Sequence, residues 1–121
     1  MGAIASLVVV DLECADPAVL AEFYRQVLGW DVTLHGPEFA EISGGGTRIL
    51  FSRVEGYEGP GWPDSLAPKR YHLCLQADHV AEAVEHCLEL GAEKPVFQPG
   101  GDRWTVLIDP SGHPFCLAQA G

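Results

Sequence analysis

The spacing of apolar and polar residues changes period along the chain, and the first half shows the order clearly. The segment "SLVVVDLEC" is rich in β-branched residues and predicts a strand from Ser6 to Glu13. The segment "ADPAVLAEFYRQVLGW" then has helical spacing, with Asp16 as N-cap, Pro17 as first helical residue and Gly29 as the end. The apolar face of this helix consists of Leu20, Phe23, Tyr24, Val27 and Leu28.

The remaining segments repeat this layout. Three short strands, "DVTLH", "EFAEIS" and "TRILFSRV", follow the first helix, and residues 55–68, rich in Gly and Pro, predict a loop. Then "YHLCLQA" predicts a strand, "DHVAEAVEHCLELG" a helix ending at Gly91, and "KPVFQ", "RWTVLI" and "HPFCLAQ" three strands. The sequence therefore predicts one α+β domain over 1–121, built from two βαβββ modules at approximately 1–55 and 69–121.

A βαβββ module covers one face of its sheet with its helix and leaves the other face open. We expect the two sheets to form a curved, partly closed mixed sheet with a helix on the outside of each half. The open faces would line a hollow, and concave surfaces of this kind are common sites for small molecules.

Composition narrows the class of protein further. The chain is 47% hydrophobic and 20% charged, which is typical of a soluble globular protein, and no apolar run is long enough for a membrane span. The start of the chain does not have the pattern of a signal peptide, so we expect a cytoplasmic protein. A formal net charge of −10 disfavours nucleic acid and anionic membranes as partners. The four cysteines contain no C-x-x-C pair and are expected to be free thiols.

Two motifs connect the doubled layout to a known family. The segment "FYRQVLGW" after the first strand and "DPSGHPF" before the last strand resemble the vicinal oxygen chelate superfamily, and most closely its glyoxalase-like branch. That superfamily includes glyoxalase I, bleomycin-resistance proteins and extradiol dioxygenases. The resemblance covers nearly the whole chain and implies the fold and a homodimer, but a shared fold does not determine the reaction.

The resemblance also implies four positions for metal ligands, one on the first and one on the last strand of each half. In this chain those positions hold Val9, Leu50 or a near neighbour of it, His72 and Cys116. Val9 and Leu50 carry no lone pair, while His72 and Cys116 are ligands that suit a soft metal such as zinc. Two ligands are too few unless Glu41 or Asp11 completes the set. We therefore predict no cofactor, with a divalent metal as the alternative.

Strand alternation predicts which side chains face the hollow. The expected ligand-binding residues are Val9, Arg48, Leu50, His72, Cys74 and Cys116, together with Trp104 or its neighbour Arg103. Trp62 from the loop is expected to cover the site or to pack against a second subunit. Arg48 suits a carboxylate or phosphate, and Asp11 with His72 is the candidate catalytic pair for proton transfer. Cys116 has no basic neighbour in the sequence and is interpreted as an apolar filler beside the pocket.

Two functions fit these residues. The favoured one is a glyoxalase-like small-molecule binding protein, similar to bleomycin-resistance proteins, that lacks the usual metal-ligand set. The alternative is a lyase, isomerase or dioxygenase-type enzyme with a remodelled metal site or Asp/His acid–base chemistry. A third interpretation is an interaction module that uses the loop around Trp62.

Overall fold

A computed structural model describes residues 4, 7–57 and 72–120 of the chain. It divides into two compact units, residues 1–57 and 58–121, which we call the first and second modules. The boundary lies within the loop predicted at 55–68, of which residues 55–57 are described and include a turn at Gly56. Trp62 lies outside the described residues.

The first module has the predicted βαβββ order. Its elements are β1 (Val10–Cys14), α1 (Pro17–Leu28), β2 (Asp31–His35), β3 (Phe39–Gly44) and β4 (Thr47–Arg53). The strands form one sheet in the order β1-β4-β3-β2, with β1 parallel to β4 and the other pairs antiparallel. β1 begins later than the composition predicts, at Val10, because pairing with β4 starts there, opposite Ile49.

Helix α1 begins and ends at the predicted residues. The side chain of Asp16 accepts hydrogen bonds from the backbone N–H groups of Ala18 and Val19, at 3.1 and 3.3 Å. Gly29 ends the helix in the left-handed conformation (φ 72°), which glycine adopts without steric cost.

An aromatic contact joins α1 to the sheet. The ring of Tyr24 stacks on the ring of Phe51 in β4, with centroids 5.9 Å apart and planes 8° apart. Both side chains are fully buried. The helix therefore covers the face of the sheet that carries Phe51.

Within residues 72–120, the second module has one strand fewer than predicted. Its elements are β5 (Leu73–Ala77), α2 (Val80–Glu89), β6 (Trp104–Ile108) and β7 (Pro114–Gln119), in the sheet order β5-β7-β6. β5 is parallel to β7, and β6 is antiparallel to it. The segment "KPVFQ", predicted as a strand, is irregular. The described pairing next to it is a single bridge between Glu93 and Ile108.

Two prolines and one glutamine explain the missing strand. Pro95 lies within the segment and Pro99 directly follows it, and neither has an N–H group to donate to a sheet. The side chain of Gln98 takes the place of a strand residue: its Oε1 accepts from the N–H of Val106 at 2.8 Å, and its Nε2 donates to the carbonyl of Val106 at 2.9 Å. A side-chain amide thus forms the hydrogen bonds that a neighbouring backbone would form.

Helix α2 packs against all three strands of the second sheet and buries Val84 and Cys87. Each module therefore has a helix on one face of its sheet, which confirms the predicted α+β class and its modular plan. The hollow between the two sheets stays a prediction. In the part of the chain that the structure describes, no helix has the length and apolar character needed to span a bilayer.

Candidate functional site

The face of the first sheet opposite α1 carries Arg48, Leu50 and Ser52, which alternate with Ile49 and Phe51, buried on the helix side. Leu50 lies opposite Asp11 in the parallel β1–β4 pair. The hydroxyl of Ser52 donates a hydrogen bond of 2.7 Å to Oδ1 of Asp11. The carboxylate proposed from the sequence as a proton-transfer group is thus positioned by a neighbouring serine.

Arg48 also has partners within the first module. Its guanidinium lies 3.5 Å from a carboxylate oxygen of Glu41 and donates to the carbonyl of Val8 at 3.4 Å. The other carboxylate oxygen of Glu41 accepts a 2.8 Å hydrogen bond from Thr33. An anionic ligand at Arg48 would therefore have to compete with Glu41. Val9, half-buried, directly precedes β1, and the ligand-binding roles of Val9, Leu50 and Arg48 stay predictions.

A pocket lies on one face of the second sheet. The register of the parallel pair places Cys74 of β5 opposite Cys116 of β7, and the antiparallel pair places Trp104 of β6 opposite Ala118. These four side chains and His72 line a cavity of about 370 Å³, which we call the sheet pocket. The sequence predicted His72, Cys74 and Cys116 at the site together with Trp104 or Arg103, and it predicted that the first module lines the same site.

Three side chains of the sheet pocket bring together chemically active atoms. A ring nitrogen of His72 and the sulfur atoms of Cys74 and Cys116 all lie within 4.8 Å of one another. His72 and Cys74 are exposed, while Cys116 is 5% exposed. The sequence interpretation paired His72 with Cys116 and did not count Cys74 as a third donor. The sequence does indicate this third donor, because the two outer residues of "HLC", His72 and Cys74, share one face of a strand.

The other two cysteines belong to the buried core. The thiol of Cys14 donates to the carbonyl of Ser52 at 3.6 Å. Cys87 lies in α2, where burial raises the pKa of its thiol and so disfavours the reactive thiolate. None of the four cysteines forms a disulfide, as predicted.

Trp104 forms an apolar wall of the sheet pocket and packs against the backbone of Gly100. A Cβ atom at position 100 would lie 2.5 Å from both Cδ2 and the carbonyl oxygen of Trp104. No side chain fits in that space, so the glycine determines where the indole ring sits. Gly100 was not identified from the sequence. The need for glycine at this position comes from the contact with Trp104 and not from the backbone angles of Gly100 itself.

The architecture defines the class of protein: each module covers one face of its sheet with a helix, and the two modules repeat this layout along the chain. Residues 7–118 match the sequence profile of the glyoxalase-like domain, and the chain therefore belongs to this family of the vicinal oxygen chelate superfamily. No curated protein is significantly similar in sequence.

Solved structures have the same fold at low sequence identity. A glyoxalase/bleomycin resistance protein/dioxygenase family enzyme from Burkholderia phytofirmans PsJN is 23% identical with a TM-score of 0.71, covering 95% of this chain and 98% of its own. A glyoxalase-related enzyme from Fulvimarina pelagi is 19% identical (TM-score 0.68), covering 97% of this chain and 89% of its own. Protein ATC0852 from Agrobacterium tumefaciens is 18% identical (TM-score 0.72), covering 97% and 100%. These similarities establish the fold.

The residues present do not fit a metal shared between the modules in the way that the superfamily implies. Two of the four implied positions hold Val9 and Leu50, whose hydrocarbon side chains cannot coordinate an ion. The donors that the structure brings together, His72, Cys74 and Cys116, all lie in the second module.

Proposed function

We propose that the protein binds a small organic molecule in the sheet pocket. The observation that carries this proposal is the cavity of about 370 Å³ on one face of the second sheet. This volume lies within the range of small-molecule sites, which bury an apolar ligand and orient it with a few polar groups.

The lining residues indicate the chemistry of the ligand. Trp104 and Ala118 provide apolar contact, and the sulfur atoms of Cys74 and Cys116 are polarisable surfaces that suit aromatic rings. His72 is exposed at the pocket and supplies its imidazole as a polar contact. We therefore expect a flat, mainly apolar molecule with one polar or anionic group near His72. Such a role resembles that of bleomycin-resistance proteins.

The test uses anilinonaphthalene sulfonate (ANS), an aromatic anion whose fluorescence increases in apolar surroundings. We expect saturable binding to one site. Replacing Ala118 by Phe fills the pocket with a ring and should weaken ANS binding by at least about tenfold, or about 1.4 kcal/mol. Fluorescence titration measures the dissociation constant.

The matched control is Ala81→Phe, which adds the same ring on an exposed position of α2, outside the sheet pocket. This variant should bind ANS like the original protein. Equal ANS affinity in the Ala118→Phe variant and the original protein would contradict the proposal, because the dye would then bind elsewhere.

The alternative function, a lyase or isomerase with a remodelled metal site, is favoured by one observation: three donor atoms, of His72, Cys74 and Cys116, lie together in the sheet pocket. An acid–base pair of Asp11 and His72 would need these residues, which belong to different modules, to meet. If a substrate is found, loss of turnover in a His72→Ala variant with ligand binding retained would favour the enzyme. The cytoplasmic location and the homodimer stay predictions.

A further inference from the structure

The register of the second sheet places three potential metal ligands side by side. Cys74 and Cys116 are directly opposite each other on neighbouring parallel strands, and His72 precedes Cys74 by two residues and lines the same pocket. Their ligand atoms lie within 4.8 Å of one another. Bonds of about 2.3 Å at the tetrahedral angle would place two sulfur ligands about 3.8 Å apart. Rotation of exposed side chains such as Cys74 can close that difference.

The exposure of Cys74 needs an explanation other than packing. A buried cysteine such as Cys116 contributes to the core as a small apolar residue. Cys74 is exposed, so it gains little from burial, and cysteine is one of the residue types most often found inside proteins. A second thiol and an imidazole lie directly beside Cys74, which indicates a bound ion that all three side chains contact.

The donor set selects the kind of ion. Two thiols and one imidazole are soft to borderline ligands that favour zinc over the hard ions magnesium, manganese and calcium, which prefer oxygen. Three protein ligands with an open fourth position are typical of zinc sites that bind water or a substrate atom.

We infer that His72, Cys74 and Cys116 bind one zinc ion within the second module alone, with the fourth coordination position open to the sheet pocket. This site differs from the four-position set that the resemblance implied, because it needs no ligand from Val9 or Leu50. It also revises the expectation that the protein holds no metal. The inference goes beyond binding of an organic molecule and does not depend on it.

The test uses untagged protein, stripped with a chelator and kept reduced with a phosphine. We expect one equivalent of zinc by calorimetry and elemental analysis, and an increase in melting temperature on adding zinc. Cobalt replaces zinc as a spectroscopic probe and should give tetrahedral d–d bands together with thiolate-to-cobalt charge-transfer bands. Manganese and magnesium should bind far more weakly than zinc.

Variants assign the ligands. Cys74→Ser should reduce zinc affinity by at least roughly 100-fold, since even the loss of an outer-shell partner costs about 10- to 100-fold. Its charge-transfer bands should fall to about half, because one thiolate remains. Cys74 is exposed, so this variant is expected to fold, whereas Cys116→Ser changes a buried residue. His72→Ala should weaken zinc binding and leave the charge-transfer bands in place.

The matched controls are Cys87→Ala and His86→Ala, which remove a thiol and an imidazole of α2 away from the sheet pocket. Both should bind zinc like the original protein. Zinc affinity that is unchanged in Cys74→Ser, or a cobalt spectrum without thiolate bands, would overturn the inference. Because metal alone is the probe, this result is independent of whether ANS binds.

Discussion

At the scale of the residue, the position of Trp104 depends on the absence of a side chain at Gly100. Replacing Gly100 by Ala would place a methyl group 2.5 Å from the indole ring and from the carbonyl oxygen of Trp104. Overpacking of this kind should lower the free energy of unfolding by about 1–3 kcal/mol. The displaced indole ring should also weaken the binding of ANS to the sheet pocket. Urea denaturation and the ANS titration measure the two effects.

Gly36→Ala is the control for this prediction, because a methyl group there would make an ordinary contact of 3.5 Å with the carbonyl of Phe39. It should change stability by no more than about 0.5 kcal/mol. If Gly100→Ala changes the free energy of unfolding as little as Gly36→Ala does, Gly100 does not position Trp104.

Single residues differ in how visible their roles are in the sequence. The ends of α1 were predictable because Asp16 and Gly29 act on the backbone next to them. The role of Gly100 was not, because it arises from packing against Trp104, and the ring's orientation is a property of the folded module. Local chemistry is therefore predictable where the partner is close in sequence.

At the scale of the element, Pro95 and Pro99 disfavour a strand next to β6. The side chain of Gln98 instead forms two hydrogen bonds with the backbone of Val106 in β6. We expect Gln98→Ala to lower the free energy of unfolding by about 1–3 kcal/mol, because the buried backbone N–H and C=O of Val106 lose their partners. Gln98→Glu should also destabilise, since a carboxylate can accept from the N–H but cannot donate to the C=O. Urea denaturation measures both variants.

Gln26→Ala serves as the control, because that amide is exposed and donates to the exposed carboxylate of Glu22. Gln26→Ala should change the free energy of unfolding by no more than about 0.5 kcal/mol. A Gln98→Ala variant as stable as this control would mean that Val106 finds other partners.

The same element explains why one predicted strand was wrong. The segment "KPVFQ" has the apolar content of a strand, but Pro95 and Pro99 remove donors, and Val96 and Phe97 are exposed. In contrast, burial alternates along β4 and β5 in the way that strand periodicity predicts. Periodicity predicts the face of a residue well once the strand exists, but composition alone overestimates the number of strands.

At the scale of the whole molecule, the sequence predicted a site shared by two modules, and this stays a prediction. The described residues that line the sheet pocket belong to the second module. The loss of ligands at Val9 and Leu50 was visible because hydrocarbon side chains exclude coordination wherever they point. The association of Cys74 with His72 and Cys116 depended on the register of β5 with β7, which a sequence pattern does not specify.

The predicted homodimer can be tested at an edge of the first sheet. All five residues of β2 are exposed, including Val32 at 39% and Leu34 at 48%, and β2 is the terminal strand of its sheet. An exposed apolar edge strand is a template for pairing with another chain. We expect light scattering to give a mass of about 26 kDa, twice the 13.0 kDa of the chain.

Leu34→Glu should shift the mass toward that of the monomer, because a charge on the edge strand opposes pairing. Val19→Glu, at an exposed position of α1, places the same charge away from β2 and should leave the dimer intact. A monomer at every concentration would contradict the dimer itself. A dimer that Leu34→Glu does not weaken would contradict only the use of β2, and would direct attention to the exposed Leu7 and Val8 before β1.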